Sequence, residues 1–405
     1  MLYLKDTRHA STAAFLESAM RIAGFYGFLP IDTIPLKQSH EIKSMRERAA
    51  KNETAIAFAR REERMLVSAA KRCAACARIN EPLLAWRISD TGRDRDDTPT
   101  TTFELHVVGN ASAVSEALLI AVADAIVRAA GISTRILHIN SIGSPESSNR
   151  FVRDVGSYLR KHLESISATL RPRAAIDPLG TLVTLIERGH PAIPRAPQAA
   201  EYLIEEERQR FWNVLEYLEV AGLPYELSPH VLGSRDCWEH SLYQISSINK
   251  STGARTPIAF GGRYDPLASR YAAAALPAAT IAIACETRGT VEIETSERNT
   301  TPTPSMYFAH LGAEARRRSL SVMEKLREQG IAIHQGLVYE RLGDQMAIAQ
   351  RLAVPYILIM GHKEAAENTI IVREVATNYQ ESVPLPDLPS YLKRHRFVNT
   401  SPALA

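Results

Sequence analysis

Between Glu294 and Ser305 the chain reads Glu-Thr-Ser-Glu-Arg-Asn-Thr-Thr-Pro-Thr-Pro-Ser, without one Val, Ile, Leu, Met or aromatic residue. Such a stretch has nothing to bury against the entropy of ordering it, and its prolines interrupt regular structure. It divides two hydrophobic patterns. Before it, residues 240 to 290 hold short apolar runs separated by Gly and Pro, such as Pro257-Ile-Ala-Phe-Gly-Gly262 and Thr280-Ile-Ala-Ile-Ala-Cys285, which predict an antiparallel sheet. After it the pattern predicts strands at 306–311, 331–334, 356–360 and 370–375, with helices at 313–329, 344–352 and 388–394. That alternation predicts a small α/β domain with a partly parallel sheet. The expected organisation is a core over 1–295, a linker over 296–305, a second domain over 306–396 and a tail over 397–405.

Within the core, Phe15, Ala19 and Ile22 fall at i, i+4 and i+7 of a helix predicted over 8–26, with Ser11 as N-cap and Gly24 to Gly27 as its end. A second helix is expected over 53–78. Strands are expected over 83–89 and 103–108, joined by a polar loop, followed by helices over 115–131 and 145–165 with a strand over 135–139 between them. From 171 to about 230 the pattern becomes helical and broken by Pro191, Pro194 and Pro197, an insertion that contains a helix over 200–221.

Composition bounds the function classes. The 405 residues are 45% hydrophobic and 23% charged, enough for a sizeable core, and the net charge of +3 leaves any nucleic-acid contact to local patches. The second domain is close to neutral, with 12 Lys/Arg against 10 Asp/Glu over 304–396. Its run Arg316-Arg317-Arg318 reads equally as a phosphate-binding patch or a solvated face. No apolar run is long enough to span a bilayer, and the N-terminus does not read as a signal peptide. Four cysteines do not make a disulfide scaffold, so a reducing cytoplasm is expected. Cys73-Ala-Ala-Cys76 has metal or redox spacing, but no second pair or nearby His completes a site, and the pair reads as two small helix residues.

Several short segments carry a more specific signal. They are Gly27-Phe28 with Ile31-Asp-Thr-Ile-Pro35, Leu137-His-Ile-Asn-Ser-Ile-Gly143, Asp177-Pro178-Leu179, Ala196-Pro197 with Tyr202-Leu203, and Gly261-Gly262-Arg263-Tyr264-Asp265. Two more, Leu326-Arg-Glu-Gln-Gly-Ile331 and Tyr356-Ile-Leu-Ile-Met-Gly361, lie beyond the linker. In order and spacing, nearly end to end, these resemble the class II histidyl-tRNA synthetases, with Gly-Gly-Arg-Tyr-Asp the most specific match. The resemblance implies an α+β fold, a class II aminoacyl-tRNA synthetase-like antiparallel sheet with flanking helices, plus a C-terminal α/β anticodon-binding-like domain. It also implies a homodimer, tRNA or another RNA held through the C-terminal domain, and, for an active enzyme, ATP and Mg²⁺.

Activation of an amino acid by ATP needs no protein nucleophile. It works by position and by guanidinium groups that match phosphate oxygens and stabilise charge in the transition state. The resemblance makes Arg87, Arg235 and Arg288 the candidates for that role. It makes Glu53, Glu104, His106, Asp236, Gly261, Gly262, Arg263 and Tyr264 candidates for substrate binding, with no metal ligands of their own. Beside these stand plainer readings: Arg87, Arg235 and Arg288 as surface or ion-pair residues, His106 as a satisfied strand residue, and Gly261-Gly262 as a close backbone approach.

The chain also departs from the family pattern. Aligned with Gly109 as the family's following glycine, Thr102 stands at the family's Gln and His106 at its Glu, which would orient the amino group and imidazole of bound histidine. The family's Arg-Gly-Leu-Asp-Tyr-Tyr is replaced by Leu232-Gly-Ser-Arg-Asp-Cys-Trp238, so its arginine position holds Leu232 or Gly233. Near Glu286, Thr287 occupies an arginine position and Arg288 comes one residue late. Lys51-Asn52-Glu53-Thr54 only partly matches the family's Arg-Pro-Glu-x-Thr. The expectation is a divergent, non-aminoacylating paralogue with a regulatory or RNA- or nucleotide-binding role. An active divergent histidine–tRNA ligase and a non-catalytic RNA- or nucleotide-binding module are the alternatives. A relative that serves as regulatory subunit of ATP phosphoribosyltransferase lacks the C-terminal domain, whereas residues 306–396 are present here.

Overall fold

The computed structural model describes residues 12–36, 61–78, 81–93, 99–286 and 304–395. Ser11, Glu53, the linker at 296–303, Arg288 and the tail lie outside the described residues. In the core the elements run α1 (Thr12–Phe25), β1 (Leu29–Pro30), α2 (Arg61–Cys76), β2 (Leu83–Arg93), β3 (Pro99–Val108), α3 (Val114–Ala129), β4 (Arg135–Ser141) and α4 (Pro145–Lys161). Then come α5 (Arg171–Ile176), α6 (Pro178–Glu187), α7 (Glu205–Val220), β5 (Tyr225–Leu227), β6 (Glu239–Ile248), β7 (Arg255–Arg263), α8 (Asp265–Tyr271) and β8 (Ala278–Glu286).

Among the described residues the core strands form one eight-stranded sheet in the order β1-β2-β3-β8-β7-β6-β4-β5. The pairings from β2 through β4 are antiparallel, and a parallel pair stands at each edge, β1 with β2 and β4 with β5. Side chains alternate between the two faces with period two. On β3, Phe103, Leu105 and Val107 point to the back, where they join α1 and the almost wholly buried α3 in one apolar cluster. Tyr264, Phe260, Leu242 and Ala85 join the front cluster, with Cys73 of α2, Ala77 just after it, and Phe151 and Val155 of α4. α4 starts where Ser144 caps the Ser147 amide and Pro145 fits the first turn, the residue types that favour a helix start.

The second domain runs β9 (Met306–His310), α9 (Ala313–Glu328), β10 (His334–Gln335), α10 (Leu342–Arg351), β11 (Tyr356–Met360), α11 (His362–Glu367), β12 (Thr369–Glu374), β13 (Gln380–Pro384) and α12 (Leu388–Arg394). Its sheet order is β10-β9-β11-β12-β13, parallel among the first three strands and antiparallel thereafter. The domain packs directly on the core. Asn110 donates to the Val338 carbonyl at 2.7 Å, Gln335 to the Tyr26 carbonyl at 2.8 Å and Arg128 to Glu328 at 3.0 Å, while the Tyr26 hydroxyl meets Glu324.

Some local expectations shift. β2 extends through Arg93 and β3 begins at Pro99, so much of the expected polar loop is strand. The helix expected over 145–165 ends at Lys161, and a 3-10 turn over Leu163–Ser165 follows. The helix expected over 200–221 begins at Glu205, after a separate turn over Ala199–Tyr202. β13 was not expected, because Gln-Glu-Ser-Val-Pro looks like a loop. It is an edge strand with only Val383 buried, a place where polar residues and a terminal Pro cost little.

Candidate functional site

Arg87 on β2 and Glu104 on β3 are directly opposite partners in the sheet. Their side chains form an ion pair, Nε to Oε2 at 3.3 Å, with Arg87 16% and Glu104 7% exposed. The same Oε2 lies 3.3 Å from His106 Nε2, and Oε1 accepts from the Ser89 hydroxyl. Ser89 and Thr102 share a 2.7 Å hydrogen bond. His106 Nδ1 is 3.3 Å from the Tyr264 hydroxyl, which in turn is hydrogen-bonded with the Cys73 thiol. The five polar residues Arg87, Ser89, Thr102, Glu104 and His106 share the front face because each stands an even number of places from its neighbour on the same strand.

The electrostatics of this network are self-contained. Burial alone would raise the Glu104 carboxyl, but His106, then Arg87 and Ser89, more than offset that and hold it below the usual range. Burial pushes the Cys73 thiol up to about 12, so it is an inert core thiol rather than a nucleophile. The Tyr264 hydroxyl is likewise pushed well above its ordinary value by burial. Among the described residues no group of three or more His, Cys, Asp or Glu is placed to hold a metal ion.

The remaining expected residues lie apart from this network. Arg263, one residue before Tyr264, points to the back face and is 1% exposed. It donates to Glu116 of α3 at 2.8 and 3.1 Å, pairs with Asp265 at 3.2 Å, and reaches the Asn110 carbonyl. Arg210 of α7 binds the same Glu116 at 2.8 Å. Against burial, which would raise it, Arg263 and Arg210 hold the Glu116 carboxyl at about 2. A Cβ at Gly261 would collide with the Thr280 carbonyl and Ile281 Cα of β8, and one at Gly262 would lie 2.7 Å from the Ser241 carbonyl. Both glycines are therefore required by strand-to-strand approach alone. Leu232 is buried, Gly233 sits against the Trp238 ring, exposed Arg235 bonds Asn149 of α4, and Asp236 pairs with Arg270 at 3.4 Å.

Sequence reasoning did not single out Ser89, Glu116 or Arg210, and it read Cys73 only as a small helix residue. For Ser89 the signal was available: Arg87 and Ser89 on one strand and Thr102, Glu104 and His106 on the next have the spacing of a shared face. Glu116 lies in an Ala-rich helix whose all-round burial gives no sign of which cation it would meet.

Comparison with known proteins follows the same division of the chain. Residues 306–395 match the anticodon binding domain family. The chain is 29% identical over 313 residues to the histidine–tRNA ligase of Bacillus velezensis, covering 77% of this chain and 73% of that one. It is 28% identical over 316 residues to the Bacillus subtilis histidine–tRNA ligase, covering 78% and 74%. Over most of its length the chain is thus similar to histidine–tRNA ligases, and over residues 306–395 to the anticodon binding domain family. Among solved structures, apo Staphylococcus aureus histidyl-tRNA synthetase matches 94% of this chain and 95% of its own, at 18% identity and a TM-score of 0.47. A Bacillus halodurans structure titled ATP phosphoribosyltransferase regulatory subunit/histidyl-tRNA synthetase matches 89% and 98%, at 14% identity and a TM-score of 0.43. No helix among the described residues is long and apolar enough to cross a membrane.

Proposed function

We propose that this chain is a divergent paralogue of histidyl-tRNA synthetase that does not activate histidine and instead acts as a cytoplasmic, homodimeric binding or regulatory protein, with RNA held through its C-terminal domain. The observation that carries the reading is the Arg87–Glu104 ion pair at 3.3 Å. A guanidinium that must meet a nucleotide phosphate is here neutralised by the chain's own carboxylate. His106 supports it: at the position where the family places an acid for the substrate's imidazole, this chain supplies an imidazole of its own, already between Glu104 and Tyr264. Leu232 supports it further, an apolar buried side chain at the family's arginine position. The donor set does not fit Mg²⁺ either, since Glu104 is spent on Arg87, Ser89 and His106.

The second reading is an active, divergent histidine–tRNA ligase using ATP and Mg²⁺. It is favoured by the extent of the match, since about three quarters of the chain aligns with proteins named as histidine–tRNA ligases. Histidine-dependent ATP–pyrophosphate exchange separates the two. The expected outcome is exchange at background level in the wild type. Exchange above background that is lost in Arg87→Ala would establish the ligase.

A further inference from the structure

A cavity of about 660 Å³ lies where the two domains meet, within the size range of small-molecule sites. The core contributes Arg210 and Gln209 of α7, and the second domain Arg316 and Arg317 of α9. Three guanidinium groups from two domains line it: Arg210 Nε and Arg317 Nε are buried with no hydrogen-bond partner, and Arg316 Nη1 has only a long ion pair to Glu340. Buried donors are ordinarily satisfied, so two unspent ones and a third held only loosely around one cavity mark a place built for an acceptor.

Two of these arginines are held in place by other contacts. Arg210 is anchored to the Ala111 carbonyl at 2.6 Å and to Glu116 at 2.8 Å, and Arg317 to Glu216, with its guanidinium 5.9 Å from the Tyr217 ring centroid. Arg316 is different. It faces Glu340 at 3.5 Å, and Glu340 is 68% exposed while Arg316 is 15% exposed. An incoming oxyanion with several acceptor oxygens can displace such a loosely held carboxylate, because guanidinium–phosphate pairs offer two parallel hydrogen bonds. Glu205 and Glu206 also line the cavity, so a bare anion does not complement all of it. The acidic wall fits hydroxyl or amino donors.

We propose that this interdomain cleft binds a small phosphate-bearing molecule that also carries hydroxyl or amino groups. The phosphate sits among Arg210, Arg316 and Arg317 in place of Glu340, and the donors face Glu205 and Glu206. Because the ligand touches both domains, its binding also fastens the second domain to the core. The proposal does not depend on whether the chain activates histidine.

The test is calorimetric titration of the full chain with inorganic phosphate, ribose 5-phosphate and AMP. Saturable binding is expected, tighter for the two sugar phosphates than for phosphate. The double variant Arg316→Gln/Arg317→Gln should bind at least about tenfold more weakly. Glu340→Gln should bind several-fold more tightly, since it removes the competing carboxylate. Should the double variant fail to fold by circular dichroism, Glu340→Gln decides. No saturable binding of any of the three probes overturns the proposal. So does binding that survives the double variant, or that is unchanged or weakened by Glu340→Gln.

Discussion

The two faces of the large sheet each carry an arginine–glutamate pair, and the pairs do different things. At the back, Arg263 and Glu116 are both essentially inaccessible, and Arg210, Asp265 and the Asn110 carbonyl complete the cluster. At the front, Arg87 retains some exposure, and Glu104 is shared with a serine and a histidine. Consecutive residues of one motif, Arg263 and Tyr264, serve the two faces separately. The most recognisable part of the sequence, Gly261 to Asp265, thus records sheet packing and a buried ion pair as much as any ligand. A motif can persist for scaffold reasons while the chemistry across the sheet changes.

The largest effect that would test this contrast is at Arg263. Removing it leaves Glu116 and Asp265 buried with much of their positive charge gone, which typically costs about 3–5 kcal/mol. Arg263→Ala should therefore lower the urea midpoint sharply or prevent folding, whereas Arg87→Ala, at the partly exposed pair, should cost clearly less. Equal losses would erase the distinction between the two faces.

Acid titration separates them next. The folded-state carboxyl of Glu116 lies at about 2 against an ordinary value of 4.5. A lowered carboxylate contributes stability that is complete above the unfolded value and is lost as pH falls toward the folded one. At roughly 1.36 kcal/mol per unit, that contribution is on the order of 3 kcal/mol, withdrawn between about pH 4.5 and 2. Glu239 acts oppositely. Burial, then the like charge of neighbouring Asp265 and the hydrogen bond between them, raise it to about 8, so its contribution is complete below about 4.5 and is lost as pH rises toward 8. Denaturation midpoints measured across pH 2 to 8 should fall at both ends. In Glu239→Gln the high-pH fall should shrink while the acid limb remains; an unchanged high-pH limb would remove Glu239 from the account.

Much of this fold was legible in the sequence, for identifiable reasons. The helix at Phe15, Ala19 and Ile22, the strands around Arg87 and Phe103, and the change of pattern beyond Ser305 rest on apolar periodicity, which survives divergence because burial does not tolerate its loss. β13 and the extensions of β2 and β3 were not legible, since edge strands and hairpin ends need few apolar residues. For the candidate site, residue types and spacing put Arg87, Glu104, His106 and Tyr264 in view. Their joining into one network depends on cross-strand register, which a single sequence does not state. Arg263 shows the converse, since its partner Glu116 is 147 residues away and nothing local announces it.

Arg235 lies outside both clusters, and its substitution should have the smallest effect. It is exposed, sits in the turn before Trp238, and bonds only Asn149 among its described contacts. Exposed side chains with one polar contact usually change stability by no more than about 0.5 kcal/mol when removed. Arg235→Ala should therefore leave the denaturation midpoint nearly unmoved. The informative measurement is the same variant beside Arg87→Ala in nucleotide binding. If ATP binds the wild type and Arg235→Ala weakens it as much as Arg87→Ala does, the turn must close over the front face, and the two arginines would then act on one phosphate. If neither variant matters, the front network is a folded polar core, and the nucleotide site of the family is absent from that face.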